Sequence, residues 1–356
     1  MRALWGAMTP RGKALLAILV VALLLAPLAV NRYLLSVLTL ILYFVYVGQA
    51  WNLMMGYAGQ LSLGHALYVG LGGYVSAALW VHFGIGPWLG VFPAVAVGAA
   101  FGAAIGWLGF RFGIEGVYFA LLTIAFAEFT RIGFDHISFT GGAGGLFIPY
   151  EEKRLGEWWN LRGGQPFFYY VAFLMAAAGV VIAALLSRAR IGFQWLAVRE
   201  DEIAARALGI NTFRAKMKAV LVSSGMTAVG GVFYAFYNNS LFPAQVFDIG
   251  RSIELILAPI VGGLGTIFGP VIGAFILTPL GEILITAIDR IGINAPGVKA
   301  VFYGLLLMII ISVVPNGVWP WIVRQRASAQ RPSSWKGMRL KMSSPLCARS
   351  VARFSP

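Results

Sequence analysis

Repeated apolar runs of membrane-spanning length constrain this chain more than any other feature. Residues 14–30, 33–54, 61–83, 87–110, 117–134 and 167–187 carry few or no charges, and each approaches or exceeds the roughly 20 residues a spanning helix needs. Backbone in hydrocarbon must bond to itself, so such runs fold as helices. The alternating apolar–polar segments of an outer-membrane strand are absent. Composition agrees: 59% of the 356 residues are apolar, 11% are charged, and mean hydropathy is +0.81. A soluble domain is about 25% charged. A cytosolic enzyme, a disulfide scaffold and a disordered chain are therefore excluded, and the single cysteine, Cys347, can form no intrachain bridge.

The first run follows Arg2, Arg11 and Lys13 but leads to no small-x-small cleavage site. It reads as a retained helix with its basic end in the cytoplasm. Counting from there, the sixth run returns the chain to the cytoplasm near Arg188. Charge asymmetry agrees, because residues 188–218 carry seven Lys/Arg against three in residues 135–166. After the loop come runs at 219–237, 253–288 and 298–314. The middle one, broken by Pro259, Pro270 and Pro279 and by several glycines, is too long for one crossing. Two short crossings would bring the basic C-terminus inside; a re-entrant segment plus one crossing would leave it outside. The basic tail favours the first arrangement.

The expected fold is an all-α polytopic membrane protein of about ten transmembrane helices (range 8–10), some short or broken. Its expected parts are a basic cytoplasmic N-terminus at 1–13, a transmembrane domain at 14–323 containing the 188–218 loop, and a basic, disordered tail at 324–356. That tail carries eight of the Lys/Arg behind the net charge of +14, which suits anionic lipid better than nucleic acid.

Several chemistries have no residues to carry them. The chain has no phosphate-binding P-loop, no nucleophile–base arrangement and no metal-ligand spacing around His65, His82 or His136. No cofactor is implied. Hydroxyls inside the runs, including Thr123, Ser223, Ser224 and Thr227, are expected to bond backbone or neighbouring helices. Glycines spaced by four (Gly98, Gly102 and Gly106; Gly265, Gly269 and Gly273) suit close helix contact. Ionisable residues in the runs are rarer: Glu128 with Arg131 at i, i+3, then Glu254 and Glu282. Each is a candidate for the bundle interior or a wet path, with an interfacial ion pair as the alternative for the first two.

The most informative local pattern lies in the cytoplasmic loop. Residues 195–211 read as a short amphipathic helix with Glu200, Asp201 and Glu202 at its start and Gly209 as its stop. Ile203, Ala204, Ala207 and Leu208 form a small apolar face with no lipid to bury it, suited to the protein's own helices or to a groove on a partner.

Ile203-Ala204-Ala205 followed by Gly209 resembles the coupling loop of bacterial ATP-binding-cassette importer permeases, E-A-A-x-x-x-G, with Ile203 replacing the glutamate. Gly56-Tyr57-Ala58-Gly59-Gln60-Leu61-Ser62-Leu63-Gly64-His65, Thr140-Gly141-Gly142-Ala143-Gly144-Gly145-Leu146 and Gly262-Gly263-Leu264-Gly265-Thr266 are similar in order and spacing to the LivM-type branch of branched-chain amino acid permeases. The resemblance covers about residues 14–320.

It implies a non-catalytic permease subunit of the bacterial inner membrane, paired with a LivH-type permease, two cytoplasmic ATPase subunits and a periplasmic solute-binding protein that holds most of the affinity. Glu200, Asp201, Glu202, Ile203, Ala204, Ala205, Leu208 and Gly209 would dock the ATPase. Gly59, Gln60, Ser62, Gly64, His65, Thr140, Gly141, Gly142, Gly262, Gly263 and Gly265 would line the substrate path or its gate. A urea or amide permease of the same superfamily and an ATP-independent channel or carrier are the rival readings.

Overall fold

In a computed structural model, residues 10–149, 160–291, 298–315 and 317–329 are described. Their architecture is all-α apart from one two-residue ladder. In chain order the helices are α1 (Pro10–Ala29), α2 (Arg32–Asn52), α3 (Ala66–Phe83), α4 (Pro87–Arg111), α5 (Val117–His136), α6 (Gln165–Arg188) and α7 (Arg190–Glu200). Then come α8 (Glu202–Ala207), α9 (Thr212–Asn238), α10 (Pro243–Val246), α11 (Ile249–Gly262), α12 (Gly269–Ile291), α13 (Val298–Val313) and α14 (Val318–Ala329). Strands β1 (Leu146–Phe147) and β2 (Ser240–Leu241) pair antiparallel.

Six helices among the described residues are long and apolar enough to cross a membrane: α2 with the π-helical turn Leu53–Tyr57 that extends it, α3, α4, α5, α6 and α9. This falls short of the expected ten. Three shorter apolar helical stretches, Ala17–Ala29, Gly269–Leu284 and Val301–Ile310, account for part of the difference. Pro259 and Pro279 each stand inside a helix without ending it. The break in the 253–288 run falls instead at the Gly263–Phe268 turn, where α11 folds back on α12.

The helices α2, α3 and α9 form the buried centre, while α4, α5 and α6 lie outside it. Glycine sets the spacing. A Cβ added at Gly72 on α3 would lie 2.1 Å from the Ala228 carbonyl oxygen on α9, and one at Gly231 would lie 2.0 Å from that of Val69. The Gly98–Gly102 stripe of α4 meets Ala228 and Ser224 of α9, so it does pack helices together. Gly265, Gly269 and Gly273 do not form a stripe, because Gly265 lies in the turn before α12.

The hydroxyls bond as expected. Ser223 donates to the Ala50 carbonyl at 2.7 Å, Ser224 to Leu221 at 3.3 Å, Thr227 to Ser223 at 2.8 Å and Thr123 to Ala120 at 2.6 Å. Helix α14 runs through residue 324, where the tail was placed, and on to Ala329. The disorder expected beyond it, and Cys347, lie outside the described residues.

Candidate functional site: an exposed knob above two broken segments

The loop after α6 does not form the single helix expected over 195–211. Helix α7 stops at Glu200, and Asp201 turns extended. Its side chain takes over the work of backbone carbonyls: Oδ1 accepts from Ile203 N at 2.8 Å and Ala204 N at 2.9 Å, which caps α8. Glu202 therefore sits in the first turn of α8 and Glu200 belongs to α7. At the other end Gly209 adopts φ +82°, with its N–H on Arg206 O at 2.9 Å and Ile210 N–H on Ala205 O at 3.0 Å, a Schellman stop. Ile203 and Leu208 are each 80% exposed, Ala204 and Ala207 are exposed beside them, and Ala205 faces inward.

Two anchors hold this knob to the bundle. Trp195 is buried and its indole N–H donates to Ala215 O at 2.8 Å. Glu202 accepts from Arg206 at 2.5 Å and from Lys216, which also reaches Glu115 at 3.1 Å. Burial alone would raise the Glu202 carboxyl. The hydrogen bonds from Lys216, Arg206 and Thr212 outweigh it and pull the pKa down to about 2.

From α7, Arg199 reaches inward. Its Nη1 donates to the carbonyl of Gly56, in the π-helical turn, and its aliphatic stem covers Gly59. A Cβ added at Gly265 would lie 2.6 Å from that Nη1 and 2.7 Å from Gly56 O. The 56–65 and 262–269 segments therefore meet backbone to backbone beneath one guanidinium.

Two buried amides fasten the second segment. Asn52 accepts from Gly265 N and donates to Thr266 O, both at 2.9 Å, and Gln49 donates to Ile267 O at 2.5 Å. Thr266 closes the turn by accepting from Gly269 N at 3.0 Å and donating to Gly263 O at 2.8 Å. Gly317, just before α14, packs on Gly262 and Gly263.

The rest of the first segment enters the start of α3. Trp51 donates to Ser62 O at 2.8 Å, and Leu63 N and Gly64 N both donate to Thr123 Oγ1 at 3.1 Å. His65 Nε2 bonds Thr227 Oγ1 at 2.8 Å, and Gln60 bonds its neighbour Ala58 O at 3.0 Å. These residues are packed on α5 and α9.

The third glycine-rich segment stands apart. Thr140 and Gly142 turn back on Ile137 O, Gly141 turns back on Ser138 O, and the segment leads into β1, which pairs with β2 just beyond the far end of α9. Helix α9 has 27 residues, roughly 40 Å of rise. The structure thus places 140–145 at the end of the bundle opposite Arg199 and Gly56, not with the other two segments.

The charged residues also divide. Arg131 bonds Glu128 at 2.5 and 2.9 Å and Asp135 at 3.0 Å on the outer flank of α5, where Glu128 is 52% exposed. Glu254 pairs inside the bundle with Arg251 at 2.6 Å, and Arg251 lies 4.7 Å from the Tyr234 ring centroid. Glu282 is half-buried on α12.

The family of branched-chain amino acid transport system permease components matches residues 33–311. The chain belongs to this family. It is 28% identical over 297 residues to the high-affinity branched-chain amino acid transport system permease protein LivM of Escherichia coli K12, covering 78% of this chain and 69% of that protein. It is 24% identical over 293 residues to the LivH permease protein of the same system and strain, covering 77% and 90%. The autoinducer 2 import system permease protein LsrC of Klebsiella pneumoniae is 31% identical over 152 residues, 41% and 42% of the two chains. No solved structure matches. These relatives do not favour the amide-permease or ATP-independent readings. A permease component of this family is a multi-pass transport subunit and not itself an enzyme.

Sequence reasoning missed Gln49, Asn52, Arg199 and Lys216. A signal was present for the first two: amides three residues apart in an apolar run have to find partners. Nothing local pointed to Arg199, whose contact is 143 residues away.

Proposed function

We propose that this chain is one of two permease subunits of an importer for branched-chain amino acids in the bacterial inner membrane. A LivH-type permease would be its counterpart, with two cytoplasmic ATPase subunits and a periplasmic solute-binding protein completing the assembly. One observation carries the reading: an exposed apolar knob, α8, is tied through Arg199 to the two broken segments where they touch. ATPase closure, driven by ATP binding, would move α8, and Arg199 would pass that motion to Gly56 and Gly265. The linkage requires ATP to favour one arrangement over the other.

In this reading residues 188–218 are cytoplasmic and 135–166 periplasmic, as the Lys/Arg asymmetry suggests. Helices α1, α11, α12 and α13 join the six long ones to give ten crossings. The 56–60 and 262–266 backbone forms the cytoplasmic gate, and the 140–145 turn belongs to the periplasmic mouth. High affinity resides in the binding protein, because few charges lie in the crossings to grip a zwitterion. The test is uptake into proteoliposomes holding both permeases and the ATPases, with binding protein outside and ATP inside. Labelled leucine, isoleucine or valine should accumulate and urea should not. Urea uptake, or leucine uptake without ATP, contradicts the proposal.

A further inference from the structure

Two of the outer helices expose equal shares of themselves but very different chemistry. In α5 and α6 alike, 28% of the most apolar stretch is buried in this chain. On α6 the exposed side chains of the crossing, Tyr170, Leu174, Val181 and Leu185 among them, carry no formal charge until Arg188 at its end. This face suits acyl chains. On α5, Glu128 lies within two residues of the helix midpoint and is exposed, with Arg131 and Asp135 above it on the same flank. Charge at that depth does not face lipid; it faces protein or water.

A second feature joins the same wall. Between β2 and α11 the chain is irregular, with only the four-residue α10 inside it. The segment descends to mid-bundle, because Ser252 in the first turn of α11 accepts from Ala66 N at the start of α3, next to the His65–Thr227 contact. Phe247 packs on Phe134 of α5 with ring centroids 5.2 Å apart. The following residue, Asp248, is exposed and caps α11 through Gly250 N at 2.8 Å. Irregular backbone at membrane depth is tolerated only against protein or in a wet cavity. The α5 flank and the α10–α11 junction therefore form one continuous polar wall of three carboxylates and one guanidinium.

We infer that this wall is the seam with the second permease subunit, and that α6 faces lipid. The inference rests on the two-permease reading above, and it names which face of this chain the counterpart covers. The wall has a net charge of −2, so the facing helix supplies hydrogen-bond donors or a cation. A separate, related permease is the committed occupant. The chain aligns over most of its length with both LivM and LivH, two permease proteins of one transport system in one bacterium. A second copy of this chain would bring the same negative wall against itself.

A photo-crosslinking amino acid, p-benzoylphenylalanine, tests this when placed singly at Phe129 or Ile132 on α5 and at Leu174 on α6, all exposed. The full chain is co-expressed with an affinity-tagged LivH-type permease from its own genome, and adducts are identified by mass spectrometry. Phe129 and Ile132 should give adducts with the second permease and Leu174 none. Adducts with the second permease from Leu174, only lipid adducts from Phe129 and Ile132, or adducts joining two copies of this chain would each overturn the inference. The readout needs no substrate. A correct seam with no leucine uptake by the wild-type assembly would therefore refute the proposed cargo and leave the seam standing.

Discussion

The two ends of the bundle use glycine for different purposes. At the end that carries α8, Gly56 and Gly265 let two broken segments touch, with the Asn52 and Gln49 side chains and the Arg199 guanidinium fastened to their backbone. At the opposite end, residues 140–145 make tight turns that deliver a two-residue ladder, and their hydrogen bonds stay mostly local. Similar-looking motifs thus build a clamp in one place and a turn in the other. What separates them is contact between residues far apart in sequence, 218 apart for Gln49 and Ile267.

The largest effect should follow from forcing the clamp apart. Valine at Gly265 needs φ +68°, which costs a branched residue about 1–2 kcal/mol. Its Cβ would also meet Arg199 and Gly56, and such overpacking typically costs about 1–3 kcal/mol more. Gly265→Val is expected to abolish uptake and lower the melting temperature of the purified permease; normal uptake would remove the gate role.

Next is the knob. Ile203→Glu with Leu208→Glu removes two exposed anchors, each worth roughly 1.5–3 kcal/mol when a partner buries it. Co-purification of the ATPase should fail while the melting temperature stays within a few degrees, since surface changes usually stay within about 0.5 kcal/mol. Undiminished co-purification would move the docking site elsewhere.

A smaller effect is expected from acid. The folded Glu202 pKa lies near 2, below the ordinary 4.5, so its ion pairs stabilise the fold above about 4.5 and lose that effect as pH falls toward 2. Glu202→Gln should lower the melting temperature at pH 7, and the gap to wild type should shrink below pH ~4. A gap that is constant with pH would place the stabilisation elsewhere. The smallest effect belongs to the opposite end: a Cβ at Gly144 meets nothing within 4 Å, so Gly144→Ala should change stability and uptake by no more than about 0.5 kcal/mol.

Much of the helical framework was legible in the sequence, because uninterrupted apolar runs leave the backbone no other way to bond. The 33–54, 61–83, 87–110, 117–134 and 167–187 runs correspond to α2, α3, α4, α5 and α6 within a few residues at most ends. The largest offset is at α3, which starts at Ala66 because the backbone just before it is held by Trp51 and Thr123 side chains instead of a helical ladder. The exposed face on α8 was legible too, since an apolar pair in a charged loop has little to bury it. The break at Asp201 was not: one carboxylate competing for two N–H groups decides it, and helical periodicity continues across the site. The meeting of Gly56 with Gly265 was also hidden, because nothing local encodes which two glycine-rich turns touch. Two of the proposed crossings are shorter than a full span, with 14 residues in α11 and 16 in α13.

The central claim is that Arg199 transmits ATPase motion to the clamp. The direct measurement is the ratio of leucine taken up to ATP hydrolysed by Arg199→Ala in proteoliposomes containing the full assembly. A charge-assisted hydrogen bond is worth about 1.5–3 kcal/mol, so losing it should cut the ratio by roughly tenfold or more while hydrolysis continues. A ratio equal to that of wild type would contradict the account.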